Sequence, residues 1–130
     1  MTLILDPTQT PATAGDRIDL AEGSGFTDVC GLDDMAPDRG RAALVGGRQI
    51  AIFLLSTGDL YAIDNHDPCS GANVLSRGIV GSKGDVVVVA SPIYKQHFVL
   101  ATGECLEEPG VTVATFEARV VDGRVLVASG

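Results

Sequence analysis

Two short segments hold most of the residues able to do chemistry: residues 64–72 (DNHDPCSGA) and residues 91–98 (SPIYKQHF). Together they offer carboxylate, thiol, imidazole, hydroxyl, phenol and amine groups. Asp67, Cys69 and His97 could bind a single metal ion if the two segments faced each other. Cys69 could act as a nucleophile, but nothing basic adjoins it in sequence, so its thiol is expected to be inert. His66 and His97 lack a second histidine at ligand spacing, and hydrogen-bonding roles in their loops fit them better. Cys30, at the end of an apolar strand, and Cys105, after a turn, are expected to pack as small hydrophobes. Gly78 and Gly81 in SRGIVGSKG are read as turn glycines. No Gly-Lys-Ser/Thr ending follows them, and no helix offers its N-terminus to a phosphate.

Both segments need a rigid scaffold, and the surrounding sequence reads as short strands. Residues 26–30 form the first strand candidate, followed by loop material. Residues 41–45, the turn Gly46-Gly47, residues 49–55, the turn at 57–59 and residues 60–64 predict a three-strand meander. Beyond the first loop come a short strand at 79–80, a turn over 81–85 and a buried run at 86–90. Residues 97–100 read as a strand, 101–104 as a turn and 105–110 as an acidic loop. Residues 116–121 and 124–128 flank Asp122-Gly123, a two-residue hairpin signal. About ten short strands with turns at roughly eight-to-twelve-residue spacing predict an all-β sandwich or barrel without a long helix. Each chemistry-bearing segment follows a strand and contains a proline, which makes it a stiff tip on a β scaffold.

The 130 residues are 45% hydrophobic, enough for one domain with its own core. No stretch approaches the ~18 apolar residues of a membrane-spanning helix. The N-terminal MTLILDPTQTP lacks the basic and apolar regions of a secretory leader. A net charge of −8 offers no basic footprint for nucleic acid. Three scattered cysteines do not make a disulfide framework, and a reduced cytoplasmic location is expected. The charge is uneven: residues 1–38 carry eight acids against Arg17 alone, while the rest is nearly balanced. Residues 1–25 are therefore read as a flexible acidic arm, and residues 26–130 as the folded domain.

The order LYAIDN, a loop ending in GA, SRG, a β run, a proline-containing loop ending in Phe, and TG resembles the Rieske domain over residues 26–127. The resemblance implies an all-β, Rieske-like fold of packed antiparallel sheets with a two-loop tip. In that family Cys-x-His in the first loop and Cys-x-x-His in the second hold a [2Fe–2S] cluster. Here the matching positions carry Asp67, Cys69, Ser91 and Tyr94. Shifting the first loop to put Cys69 in the thiolate position places Gly71 where an imidazole is needed. Oxygen donors replace soft ligands poorly on a cluster iron, so no cofactor or metal is expected in this chain. Tyr94 is expected to pack, filling the space a cluster would take, with its hydroxyl hydrogen-bonded.

Within the Rieske-like group, VLSRGIVG, SPIYKQHF and TGECL resemble the small subunit of assimilatory NAD(P)H-dependent nitrite reductase. That resemblance implies a large partner subunit carrying FAD, siroheme and a [4Fe–4S] cluster, which reduces nitrite to ammonium. It implies no catalytic residue in this chain, which is expected to be inactive alone. The rim of the tip supplies the candidate contact surface: Pro68, Arg77, Pro92, Tyr94 and Lys95. The alternatives are a Rieske-type [2Fe–2S] ferredoxin and an adaptor for another redox enzyme.

Overall fold

In the computed structural model the described residues are 25–128, so the expected arm over residues 1–25 lies outside them apart from Gly25. Among the described residues ten strands form three antiparallel sheets. The central sheet has the order β2–β3–β4–β8, built from β2 (Arg39–Val45), β3 (Arg48–Leu54), β4 (Leu60–Asp64) and β8 (Thr115–Phe116). A second sheet joins β1 (Phe26–Gly31), β10 (Arg124–Ala128) and β9 (Ala118–Val121) in that order. The third holds β5 (Ile79–Lys83), β6 (Val86–Ala90) and β7 (His97–Val99).

Strand β3 explains the layering. Its run IAIFL does not alternate, because both of its faces are covered. Ala51 and Phe53 point to one cluster with Ile63, Leu75, Val89, Phe98 and Leu100. Ile50 and Ile52 point to the other, with Cys30, Met35, Val125 and Val127. The central sheet thus carries a core on each side, one shared with the β5–β6–β7 sheet and one with β1–β10–β9. Burying Phe53 and Phe98 completely contributes about 1.5–3 kcal/mol each.

The meander forms with its Gly46-Gly47 turn, both glycines at positive φ (58° and 80°) as a type I′ hairpin requires. Two strand boundaries need correcting. The single strand read over residues 116–121 is two strands. Thr115–Phe116 pairs with β4, whereas Ala118–Val121 pairs with β10, and the chain changes sheet at Glu117. Strand β5 also runs through Gly81 to Lys83, so the turn there is shorter than the glycines suggested.

Gly78 is not simply a turn glycine either. A β-carbon there would strike the Ala90 carbonyl oxygen and the Val89 side chain. Gly40 has the same role against the Ser76 carbonyl and the Phe53 ring. The two glycines let the 3-10 turn Leu75–Arg77 press between β2 and β6, with Leu75 wholly buried beneath it. That turn ends the first chemistry-bearing loop and fixes where it departs from the sheets.

Candidate functional site

The first loop leaves β4 at Asp64 and is organised by Asn65, a residue that sequence reading passed over. Asn65 is buried and its amide is fully used. Its Nδ2 donates to Gln49 Oε1 and to the Asn73 carbonyl, and its Oδ1 accepts from the Ser76 backbone N–H at 2.7 Å. The available signal was an Asn directly after a strand and close to a proline, a position where side-chain-to-backbone bonds shape turns. His66 is held by Asn73, Nδ1 to Oδ1 at 3.1 Å, in the loop-bonding role expected of it.

Asp67 and Ser91 join the two loops. Both are 0% exposed. The Ser91 hydroxyl donates to Asp67 Oδ2 at 2.5 Å, and the Cys69 backbone N–H donates to Asp67 Oδ1 at 2.9 Å. Burial pushes the Asp67 carboxyl up. The bonds from Ser91, Cys69 and Ser70 outweigh that and hold it below the ordinary carboxylate range. A buried carboxylate therefore spans the two loops.

The second loop closes on itself. The Lys95 N–H donates to the Ser91 carbonyl and the Ser91 N–H to the Gln96 carbonyl. Lys95 adopts the left-handed conformation with φ 65°, which a lysine seldom does. Tyr94 does not pack into the interior as expected: it is 61% exposed, beside Ile93 at 44%. The Asp67–Ser91 pair already joins the loops beneath it.

A third loop joins the tip, beyond the two that the sequence indicated. His97 begins β7 at the same end of the small sheet, and its backbone carbonyl accepts from Leu106 N–H. Glu107 clamps His97 twice, accepting from its N–H at 2.7 Å and facing its Nδ1 at 2.6 Å. These bonds hold the Glu107 carboxyl below its ordinary range. Leu106 stands 43% exposed on this loop. Ile93, Tyr94 and Leu106 are thus three exposed apolar side chains on one end of the molecule. Pro68, Pro92, Lys95 and Arg77 are exposed around that end. The register Ile79↔Ala90 and Ala90↔His97 places Arg77 and the second loop together.

The donor set does not fit a [2Fe–2S] cluster. Such a group needs two thiolates and two imidazoles converging from two loops. Asp67 and Ser91 are committed to each other, Tyr94 faces outward, and Cys69 is the one soft donor at those four positions. His66 and His97 are engaged by Asn73 and Glu107. Asp67, Cys69 and His97 are not brought together as a mononuclear centre, and no group of three His, Cys, Asp or Glu among the described residues is arranged to hold a metal ion.

Known proteins share this scaffold. The family model of the Rieske-like [2Fe–2S] domain matches residues 25–128. The nitrite reductase (NADH) small subunit of Escherichia coli K12 is 43% identical over 103 residues, covering 78% of this chain and 95% of that one. A crystal structure from Mycobacterium tuberculosis, described as an NADH-dependent nitrite reductase small subunit, superposes with a TM-score of 0.78. It is 46% identical over 81% of this chain and 95% of its own. The nitrite reductase [NAD(P)H] large subunit of Klebsiella oxytoca is 40% identical over 101 residues, which are 78% of this chain but only 10% of that protein. The Rieske-like match over residues 25–128, together with 43% identity along nearly the whole relative, shows that the chain belongs to the nitrite reductase small-subunit family.

Proposed function

We propose that this chain is the non-catalytic small subunit of an NAD(P)H-dependent assimilatory nitrite reductase, acting by assembly with the large subunit. The observation that carries the partner is the Klebsiella oxytoca protein, in which a segment resembling this chain is one tenth of a large subunit. A domain that exists in one protein as part of the large chain has a counterpart surface there to rest on. The large subunit is the expected carrier of FAD, siroheme and a [4Fe–4S] cluster, and of the reduction of nitrite to ammonium. This chain contributes no reacting group, and we expect it alone to be colourless and inactive. It holds no cluster in this reading because its loops supply the wrong donors.

The docking surface in this reading is the three-loop tip. Ile93, Tyr94 and Leu106 form its apolar centre, and Pro68, Pro92, Arg77 and Lys95 its rim. Rim charges steer association, while buried aromatic and aliphatic anchors set dissociation. Affinity for the large subunit, measured across a salt series, tests this. Arg77→Glu with Lys95→Glu should weaken binding by about tenfold or more at low salt and less at high salt. Tyr94→Ala should speed dissociation at every salt concentration. Lys83→Glu, at the far end of the β5–β6 hairpin, is the control and should bind normally. Arg124 is a poorer control, because it is tied to Asp28 and its reversal would set two carboxylates against each other there. Wild-type affinity in both tip variants, with melting temperatures unchanged, would place the interface elsewhere.

A further inference from the structure

The three-loop tip alone is small for a stable subunit contact. Its apolar centre and rim are a handful of side chains, whereas a lasting interface engages roughly 20–30 residues and about 800 Å² on each partner. Strand register shows which surface continues it. Ile79 pairs with Ala90, and Ala90 with His97. The Leu106 N–H donates to the His97 carbonyl beside the Phe98↔Cys105 bridge, which joins this part of the third loop to the same sheet. Val80, Val89, Phe98 and Cys105 turn inward to the core cluster. Ile79, Ala90, His97 and Leu106 therefore turn outward, side by side in one row.

The row crosses three strand spacings, about 14 Å, and is apolar at both ends. Leu106 is 43% exposed at the tip, and Ile79 is 75% exposed on the edge strand β5. Ala90 and His97 lie half-buried between them, and Glu107 holds the imidazole by its Nδ1. A single exposed aliphatic side chain needs no explanation, but Ile79 is enclosed by the tip surface. It follows the rim residue Arg77 by two positions and shares its row with Leu106 of the apolar centre. Arg77 is exposed and has no carboxylate partner among the described residues. A partner that meets both Arg77 and Leu106 passes over Ile79.

We propose that the contact with the large subunit runs from the tip across the outer face of the small sheet and is anchored at its far side by Ile79. The inference rests on the reading of this chain as a partner of that subunit, in which the remainder of the large chain is the occupant. Leu44 is nearly as exposed, at 70%, but it belongs to a different surface. It pairs with Gln49 at the end of the β2–β3 hairpin, and no register joins it to Leu106. Val86, 37% exposed, pairs with Lys83 at the opposite end of the small sheet. Both lie outside the row and serve as comparisons for Ile79.

The test follows dissociation of the full chain from the purified large subunit by biolayer interferometry, with a melting curve for each variant. Ile79→Thr keeps a β-branched side chain suited to a strand and changes mainly its polarity. We expect it to dissociate about tenfold faster with an unchanged melting temperature. Leu44→Thr and Val86→Thr should dissociate like the parent chain. Parent-like dissociation of Ile79→Thr beside fast dissociation of Tyr94→Ala would overturn the extension and leave the tip as the whole contact. Fast dissociation of Leu44→Thr without that of Ile79→Thr would also overturn it, moving the contact to the β2–β3 hairpin. Parent-like dissociation of Tyr94→Ala and Ile79→Thr together would overturn both the tip and its extension. No binding by the parent chain would overturn the partner reading, and the extension with it.

Discussion

The tip and the β1–β10–β9 sheet secure themselves by different physics. In the sheet, β1 and β10 align from Phe26↔Ala128 to Gly31↔Arg124, and Val125, Leu126 and Val127 are completely buried. Its polar contacts, such as Arg124 to Asp28, lie at the surface and add to an arrangement that backbone pairing and burial already determine. Among the described residues the first two tip loops share no strand pairing, and backbone bridges such as Phe98↔Cys105 serve only the third. The wholly buried Ser91–Asp67 bond joins the first loop to the second, and the Asn65 amide ties the first loop to β3. Where the backbone ladder ends, buried polar side chains take over its work, and there each bond matters more because an unpaired partner cannot turn to water.

Removing a tip bond should therefore cost far more than removing the sheet's ion pair. Asp67→Ala should lower stability by about 2–3 kcal/mol, since it strips a buried hydroxyl and a backbone N–H of their acceptor. Ser91→Ala should cost somewhat less. The double variant should cost less than the sum, with a coupling of about 1–3 kcal/mol in denaturant titrations. An additive double variant would mean that the two loops do not depend on each other.

Acid should separate the regions as well. The Asp67 carboxyl is held below its ordinary value of 3.8, so the folded state binds its proton less readily than the unfolded chain does. Its contribution is fully present above that value and is lost as the pH falls through it to the depressed folded value. Glu107, exposed and bonded to His97, adds a smaller effect of the same sign. Melting curves from pH 6 to pH 2 should show Asp67→Asn losing less stability than the parent chain. Parallel pH profiles would remove the carboxylate from the account of the tip.

In the sheet, Gly123→Ala should cost about 1 kcal/mol, because Gly123 sits at φ 75° in the β9–β10 turn. Arg124→Ala should have the smallest effect, a slight loss of melting temperature that added salt abolishes. A loss larger than that of Asp67→Ala would reverse the comparison.

Much of the scaffold was legible in the sequence. The glycine and Asp-Gly turns mark hairpins because few residues tolerate positive φ, and IAIFL is apolar throughout because β3 has a core on either face. The break at Glu117 was not legible. The run from Phe116 to Val121 reads as one strand by propensity, and only the stacking of two sheets makes the chain turn there. Gly78 could be read as a turn because a close approach to the Ala90 carbonyl leaves no mark in sequence.

The site divides in the same way. The sequence by itself determined that the cluster positions carry Asp67, Cys69, Ser91 and Tyr94, because ligand chemistry depends on residue type and local spacing. It also determined the all-β class, since strand periodicity and turn residues are local properties. Tertiary structure alone decided that Asp67 and Ser91 bond to each other, that Tyr94 faces outward, and that Leu106 and Glu107 bring a third loop to the tip. These contacts join residues far apart along the chain, and their partners are chosen by how three sheets pack, which no short stretch of sequence encodes.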